Sequence, residues 1–230
     1  HMPDSPDAYE SIRKLFEEQG EWQKAIETIR RQMAGADTAS SGALLVCAGD
    51  LYLEKLEDRA AAAKSYTEAV ELLPDDRGLL TKLMALYSEG KEWDRLIEVL
   101  VKLADLVTDV KRRAKYFYTA ASIVYRELER PAEAAGFYEK AQDCDLELRK
   151  AFDGLITVLN AKSNWDGVEQ AYRRRIDLLD AEQAREELCH LWDGLGELLL
   201  HRLKRDEDAL EAFEQAQRLD PDNRQRTEQL

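Results

Sequence analysis

The chain has 230 residues, 44% hydrophobic and 35% charged, with a formal net charge of −14. So large an excess of carboxylates argues against nucleic-acid binding, which needs clustered Lys and Arg to neutralise phosphate, and against docking on anionic lipid. No apolar run approaches the roughly 18 residues of a membrane span, and no signal peptide is visible. Eleven Gly and five Pro leave few breaks in a composition dominated by Ala, Leu, Glu, Arg and Lys, the strongest helix formers. The expectation is an all-helical protein. Cys47, Cys144 and Cys189 are odd in number and lack CxxC spacing, which reads as reduced, buried thiols of a cytoplasmic protein and not as a disulfide frame or zinc site.

In chain order, His1-Met2 resembles the remnant of a removed purification tag, and residues 1–4 are read as that remnant and a disordered start. Ser5-Pro6 offers an N-cap followed by Pro at the first helical position. The phrase EQGEWQKAI (18–26) ends a first helix cheaply at Gly20 and opens a second at Trp22. A longer join, AGADTASSG (34–42), lets the next helix start early. The segment 53–76 follows, with Asp58 as a cap and Ala62, Tyr66 and Ala69 at i, i+4 and i+7, one stripe of a helix.

The pattern then returns. SEGKEWDRLI (88–97) carries Gly90 and Trp93, and NAKSNWDGVE (160–169) carries Asn164 and Trp165, so the three tryptophans stand 71 and 72 residues apart. The joins VTDVKRR (107–113) and LDAEQAREE (179–187) again allow early starts. Segments 126–148 and 201–223 align with 53–76: Leu56, Leu128 and Leu203 match, as do Tyr66, Tyr138 and Phe213. Asp206 stands as a cap candidate in the last copy. Asp222 could cap a further helix that stops after about two turns, so the chain reads as an excised segment with a truncated or capping helix beginning at 223–230.

From Tyr66 to Leu100 is 34 residues, and from Tyr138 to Tyr172 is again 34. With Gly49, Tyr52, Ala62, Tyr66, Ala69 and Pro74, and again with Gly196, Leu199, Ala209, Phe213, Ala216 and Pro221, the chain resembles the tetratricopeptide repeat (TPR) family of 34-residue helix–turn–helix units. The resemblance covers about residues 5–222 as six degenerate repeats, a Trp-type alternating with an Ala/Tyr-type. It implies an all-α fold, a right-handed α-solenoid of about six antiparallel helix pairs, forming one domain of three super-repeats at about 5–75, 76–147 and 148–222. Stacking is obligatory because one pair cannot cover its own apolar face. Each Trp is expected to seal the seam to the next repeat and not to build a ligand cage.

In this family the first helix of each pair lines a concave groove. Carried across, those positions are Glu10 and Lys14, then Val46, Asp50 and Leu53, then Thr81 and Ala85. Tyr118, Ser122 and Tyr125 follow, then Asp153, Thr157 and Asn160, and finally Asp193, Glu197 and Leu200. Some TPR cochaperones clamp a carboxylate-ended tail with Lys, Arg and Asn at these places. Asp50, Asp153 and Asp193 contradict that activity here. The groove is expected to be acidic, with Tyr118 and Tyr125 as apolar anchors and Asp50, Asp153, Asn160, Asp193 and Glu197 as polar contacts. By complementarity it should take a protein or peptide segment that is basic with an apolar anchor.

No feature announces a reaction. Glu186, His190, Asp193, Glu197 and His201 fall on one face at 100° per residue, but a metal site needs three or four convergent ligands, and groove polarity explains the cluster. KRRAK (111–115) and RRR (173–175) read as salt-bridged or solvated. An RNA patch would need exposed aromatics beside them, whereas Tyr172 belongs to the apolar stripe. The expectation is therefore a protein-interaction scaffold with no catalysis, no cofactor, no metal, no nucleic acid and no membrane. The alternatives are a self-assembly module stacking through its ends and a regulatory arm of a larger protein.

Overall fold

The computed structural model describes residues 6–180 and 182–221. The expected caps at Ser5 and Asp222, the start at 1–4 and the helix at 223–230 lie outside the described residues. Among the described residues the chain is all-α, a helical solenoid of twelve α-helices and one π-helical turn with no strand. It forms two compact units that divide between Val107 and Thr108. The first holds α1 (Pro6–Glu18), α2 (Trp22–Met33), α3 (Thr38–Glu54), α4 (Arg59–Leu72), α5 (Arg77–Gly90) and α6 (Trp93–Leu106). The second holds α7 (Val110–Arg126), α8 (Pro131–Cys144), α9 (Arg149–Ala161), α10 (Trp165–Leu178), α11 (Arg185–Leu198), the π turn Leu199–Leu203 and α12 (Asp206–Leu219). Within each unit every helix packs on its successor, and α7 also touches α9. As the longer joins foretell, α3 and α7 run 17 residues against 13 or 14 for α1, α5 and α9.

One turn is repeated six times. Gly20, Glu57, Lys91, Glu129, Ser163 and Lys204 all have φ between 53° and 73°, the left-handed residue that closes a helix. The next residue has ψ between 60° and 87°, and the second helix of the pair follows at once. Gly90 thus ends α5 as its last helical residue, and the left-handed Lys91 follows it directly.

The closing hydrogen bond separates the two repeat types. In the Trp-type pairs it spans five residues: Glu21 N–H to Phe16 O, Glu92 to Tyr87 and Asn164 to Leu159. In the Ala/Tyr-type pairs it spans six: Asp58 to Tyr52, Arg130 to Val124 and Arg205 to Leu199. The extra residue is taken up by a local i to i−5 bond, Leu56 to Leu51 and Leu128 to Ile123, and in the last pair by the full π turn. A π-bulge is the way an α-helix absorbs one inserted residue.

Helix starts follow side-chain chemistry. Asp58 accepts from Ala61 N–H and Asn164 from Gly167 N–H, as expected. Asp37, Asp76 and Asp109 cap α3, α5 and α7 in the same way. Asp206 does not cap. It is the first residue of α12, where its charge still complements the helix dipole, and Arg205 holds the cap position.

The pairs are spaced by aromatic rings seated on glycine. A Cβ at Gly49 would lie 2.4 Å from the Tyr66 ring, at Gly154 2.5 Å from Tyr138, and at Gly196 2.6 Å from Phe213. Tyr66, Tyr138 and Phe213 are buried. Trp22, the first residue of α2, packs on the cluster of Ala25, Ile26, Ile29 and Ala48, with Leu56 of the following pair beside it. Lys55 stands 5.6 Å from its ring centroid. This is the seam seal expected of it.

Below the second unit's surface lies a charged knot that the sequence hides inside RRR. Arg175 is 2% exposed. Its Nε donates to Glu187 at 2.8 Å and its Nη2 to the Leu146 carbonyl at 3.1 Å, while its guanidinium lies 4.9 Å from the Phe152 centroid. It thereby ties α10 to α11, to α9 and to the join before α9. Arg173 and Arg174 pair with Glu169 and Asp143.

Two stability results are expected. Gly49→Ala, which drives a methyl into a buried ring, should destabilise by about 1–3 kcal/mol. Gly136→Ala, in α8 with nothing within 4 Å of its Cβ position, should stabilise by about 0.5–1 kcal/mol. Urea unfolding of both variants checks the pair, and a gain for Gly49→Ala would contradict the packing. Glu187→Ala, which leaves the Arg175 charge buried alone, should lower stability by about 3–5 kcal/mol, whereas Arg174→Ala at the exposed pair should change it by less than about 1 kcal/mol. Thermal melts would show the contrast.

Candidate functional site

In the second unit, α7, α9 and α11 are the first helices of their pairs, and two clefts open between them. The first, about 240 Å³, is lined by Tyr118, Tyr125 and Arg126 of α7, Tyr138 of α8, and Lys150 and Asp153 of α9. Tyr138 forms its floor. The ring rests against Gly154, the Tyr118 centroid lies 5.9 Å away at a tilt of 56°, and its hydroxyl is 3.4 Å from Ser122 Oγ. Burial raises the Tyr138 pKa above its ordinary value, so the phenol stays neutral.

The second cleft, about 670 Å³, lies one pair further on and brings together Asn160, Trp165, Tyr172, Glu197, His201 and Arg202. Its floor is Tyr172, whose hydroxyl would sit 2.8 Å from a Cβ at Gly194 and whose edge packs on Phe152. Burial first, then the Glu197 and Asp153 carboxylates, push the Tyr172 pKa up and keep a donor hydroxyl in the cleft. Tyr172 is half-buried and not wholly committed to the apolar stripe, which corrects the earlier assignment. Arg202 covers the indole of Trp165 at 5.0 Å.

Six of the seven expected contact residues fall in the second unit. Tyr118, Tyr125 and Asp153 share the first cleft, and Asn160 and Glu197 share the second. Asp193 is half-buried and accepts weakly from the Cys189 thiol at 3.9 Å. Glu197 is exposed and makes no ion pair with a described residue. Asp50, in the first unit, is spoken for: it accepts the Tyr66 hydroxyl and pairs with Lys82. Burial and that hydrogen bond push the Tyr66 pKa well above its usual range. His201 leaves the face expected of a continuous α-helix because it lies in the π turn, although it still reaches the cleft of Glu197. Among the described residues no group of three His, Cys, Asp or Glu side chains could hold a metal.

The sequence reading missed Arg126 and Lys150. Both reach the cleft of Tyr118 and Tyr125, and neither makes an ion pair with a described residue, so this part of the groove carries two cations against Asp153. Net charge hid them, because one sign dominates the chain while the cleft is set by which helix faces meet.

Comparison with known proteins agrees with this architecture. Models described as tetratricopeptide repeat match residues 8–42 and 190–223. No curated protein matches the sequence significantly. Among solved structures, Naa15/Naa10 bound to HypK-THB aligns at TM-score 0.54 and 16% identity over 96% of this chain and 32% of that one, a likeness of fold. A tetratricopeptide repeat protein from Parabacteroides merdae aligns at TM-score 0.42 and 18% identity, covering 93% of this chain and 79% of that one. YrrB, a TPR protein with an unusual peptide-binding site, aligns at 0.41 and 16%, covering 90% and 96%. With helix pairs joined by one recurring turn, rings seated on small residues, and family matches near both ends, the chain belongs to the tetratricopeptide repeat family.

Proposed function

We propose that the chain is a protein-interaction scaffold whose second unit holds an extended segment of a partner along α7, α9 and α11. TPR helix pairs serve as binding surfaces and, as a family, not as catalysts, and no cofactor enters this reading. Tyr118 and Tyr125 supply the apolar anchor and Asn160 the amide contact. Asp193 and Glu197 attract basic residues of the partner, while Asp153 shares its cleft with the cations Arg126 and Lys150. Asp50 drops out, because Tyr66 and Lys82 already satisfy it. The observation that carries the proposal is Glu197, an exposed carboxylate in a cleft beside a neutral tyrosine hydroxyl and an indole. It makes no ion pair with a described residue, although Arg202, laid on that indole, lines the same cleft. The helices are packed before the partner arrives, so only the partner loses ordering entropy. Three free thiols favour a reducing, cytoplasmic setting, and no described helix is long and apolar enough to cross a membrane.

A degenerate peptide library with one fixed Phe, retained on the immobilised protein, tests the reading. The native protein should enrich Lys and Arg. Asp193→Lys combined with Glu197→Lys should abolish that enrichment and weaken the recovered peptides about tenfold, equal to roughly 1.4 kcal/mol. Identical recovery by both proteins in low salt would refute it.

A further inference from the structure

The 72-residue register exposes a substitution between the units. In the first unit, Asp50, Tyr66 and Lys82 form one constellation: the carboxylate takes the tyrosine hydroxyl and the ammonium, and Lys82 Nζ lies 5.5 Å from the Tyr66 ring centroid. The lysine therefore covers the ring that floors this place. Seventy-two residues on, the same three positions are Ser122, Tyr138 and Gly154. The register is fixed by burial, since Leu80, Leu83 and Leu86 of α5 match Phe152, Leu155 and Val158 of α9, all buried. The ring is kept, but the ammonium that covered it and the carboxylate that held the ammonium are both absent. What remains is the 240 Å³ cleft.

Its rim has changed sign as well. The cations Arg126 of α7 and Lys150 of α9 line the cleft above the buried Tyr138 and make no ion pair with a described residue. The carboxylate that would welcome a second lysine has become Ser122, whose hydroxyl donates within its own helix to the Tyr118 carbonyl at 2.9 Å. A cationic side chain entering here would meet two like charges and only Asp153 in return.

We propose that this cleft is an acid-accepting subsite. It takes an aspartate or glutamate of the bound segment between Arg126 and Lys150, with an adjacent aromatic or aliphatic residue laid on the half-buried Tyr118 and Tyr125 above the Tyr138 floor. The proposal rests on the groove reading above and gives it polarity. The next cleft presents Glu197, so the partner carries acid and anchor at one point and a basic residue further along. Neighbouring packed helices lie about 8–10 Å apart, and an extended chain rises about 3.3 Å per residue. The basic residue therefore falls about three positions from the anchor.

The same fixed-Phe library, read position by position, supplies the test. Native protein should enrich Asp or Glu on one side of the Phe by about fivefold, which an exposed ion pair of roughly 1 kcal/mol yields, and Lys or Arg about three positions away. Arg126→Glu with Lys150→Glu should turn the acid preference beside the Phe into a basic one while leaving the distal basic preference in place. Both side chains are exposed, and circular dichroism with a thermal melt checks that the fold is retained. Recovery of Lys or Arg beside the Phe by native protein, or an acid preference that survives the double variant, overturns the subsite and leaves the groove standing. Recovery of no preferred sequence overturns both. As an independent check, Ser122→Asp, which restores the carboxylate of the first unit beside the Tyr138 hydroxyl and leaves Gly154 in place, should sharply reduce recovery of acid-flanked Phe. Undiminished recovery by a folded variant would also overturn the subsite.

Discussion

An aromatic ring pressed against a glycine backbone sets the distance between successive helices, and most other features of the chain accommodate that contact. Each ring buries roughly 150–250 Å², which at about 25 cal/mol/Å² corresponds to some 4–6 kcal/mol of gross burial. No single helix pair could gather this alone. Gly49 under Tyr66 and Gly196 under Phe213 lie within one pair, while Gly154 under Tyr138 joins one pair to the next. The same kind of contact thus builds the repeat and stacks it.

The turns have to deliver the helices at the spacing those rings require. A left-handed residue after every first helix does so, even where the residue is Glu, Lys or Ser and the conformation is unfavourable. The two repeat types differ by one residue in this turn. The Ala/Tyr-type pairs absorb it by widening the end of the first helix, most visibly at Leu199–Leu203. That widening swings His201 and Arg202 into the second cleft, so an insertion serving packing also shapes the candidate site.

One tyrosine position serves packing in both units. Lys82 lies over Tyr66, whereas at the matching place beside Tyr138 stands Gly154, and that buried ring floors a cleft. A glycine that seats the ring also leaves no side chain there to fill the cleft. The clefts of the second unit are therefore consequences of the stacking rule and not additions to it.

The repeat period, the all-helical class, the place of each Trp in the first turn of a helix and the caps at Asp58 and Asn164 were legible in the sequence, because each depends on spacing along one helix or on one side chain and its own backbone. Tyr118, Tyr125, Asp153, Asn160 and Glu197 were assigned to first helices by their place in the repeat, and they line the two clefts of the second unit. Three matters waited for the tertiary structure, all involving contacts between helices far apart in sequence. Asp50 proved to be neutralised by a lysine 32 residues on. Arg175, one of three consecutive arginines, proved to be buried on Glu187 while its neighbours stayed at the surface. Arg126 and Lys150 converged on the tyrosines of a chain whose net charge is −14. Composition and periodicity record which residues are present and which face of a helix they share. The sign of a cleft depends on which faces meet, and only the packed helices determine that.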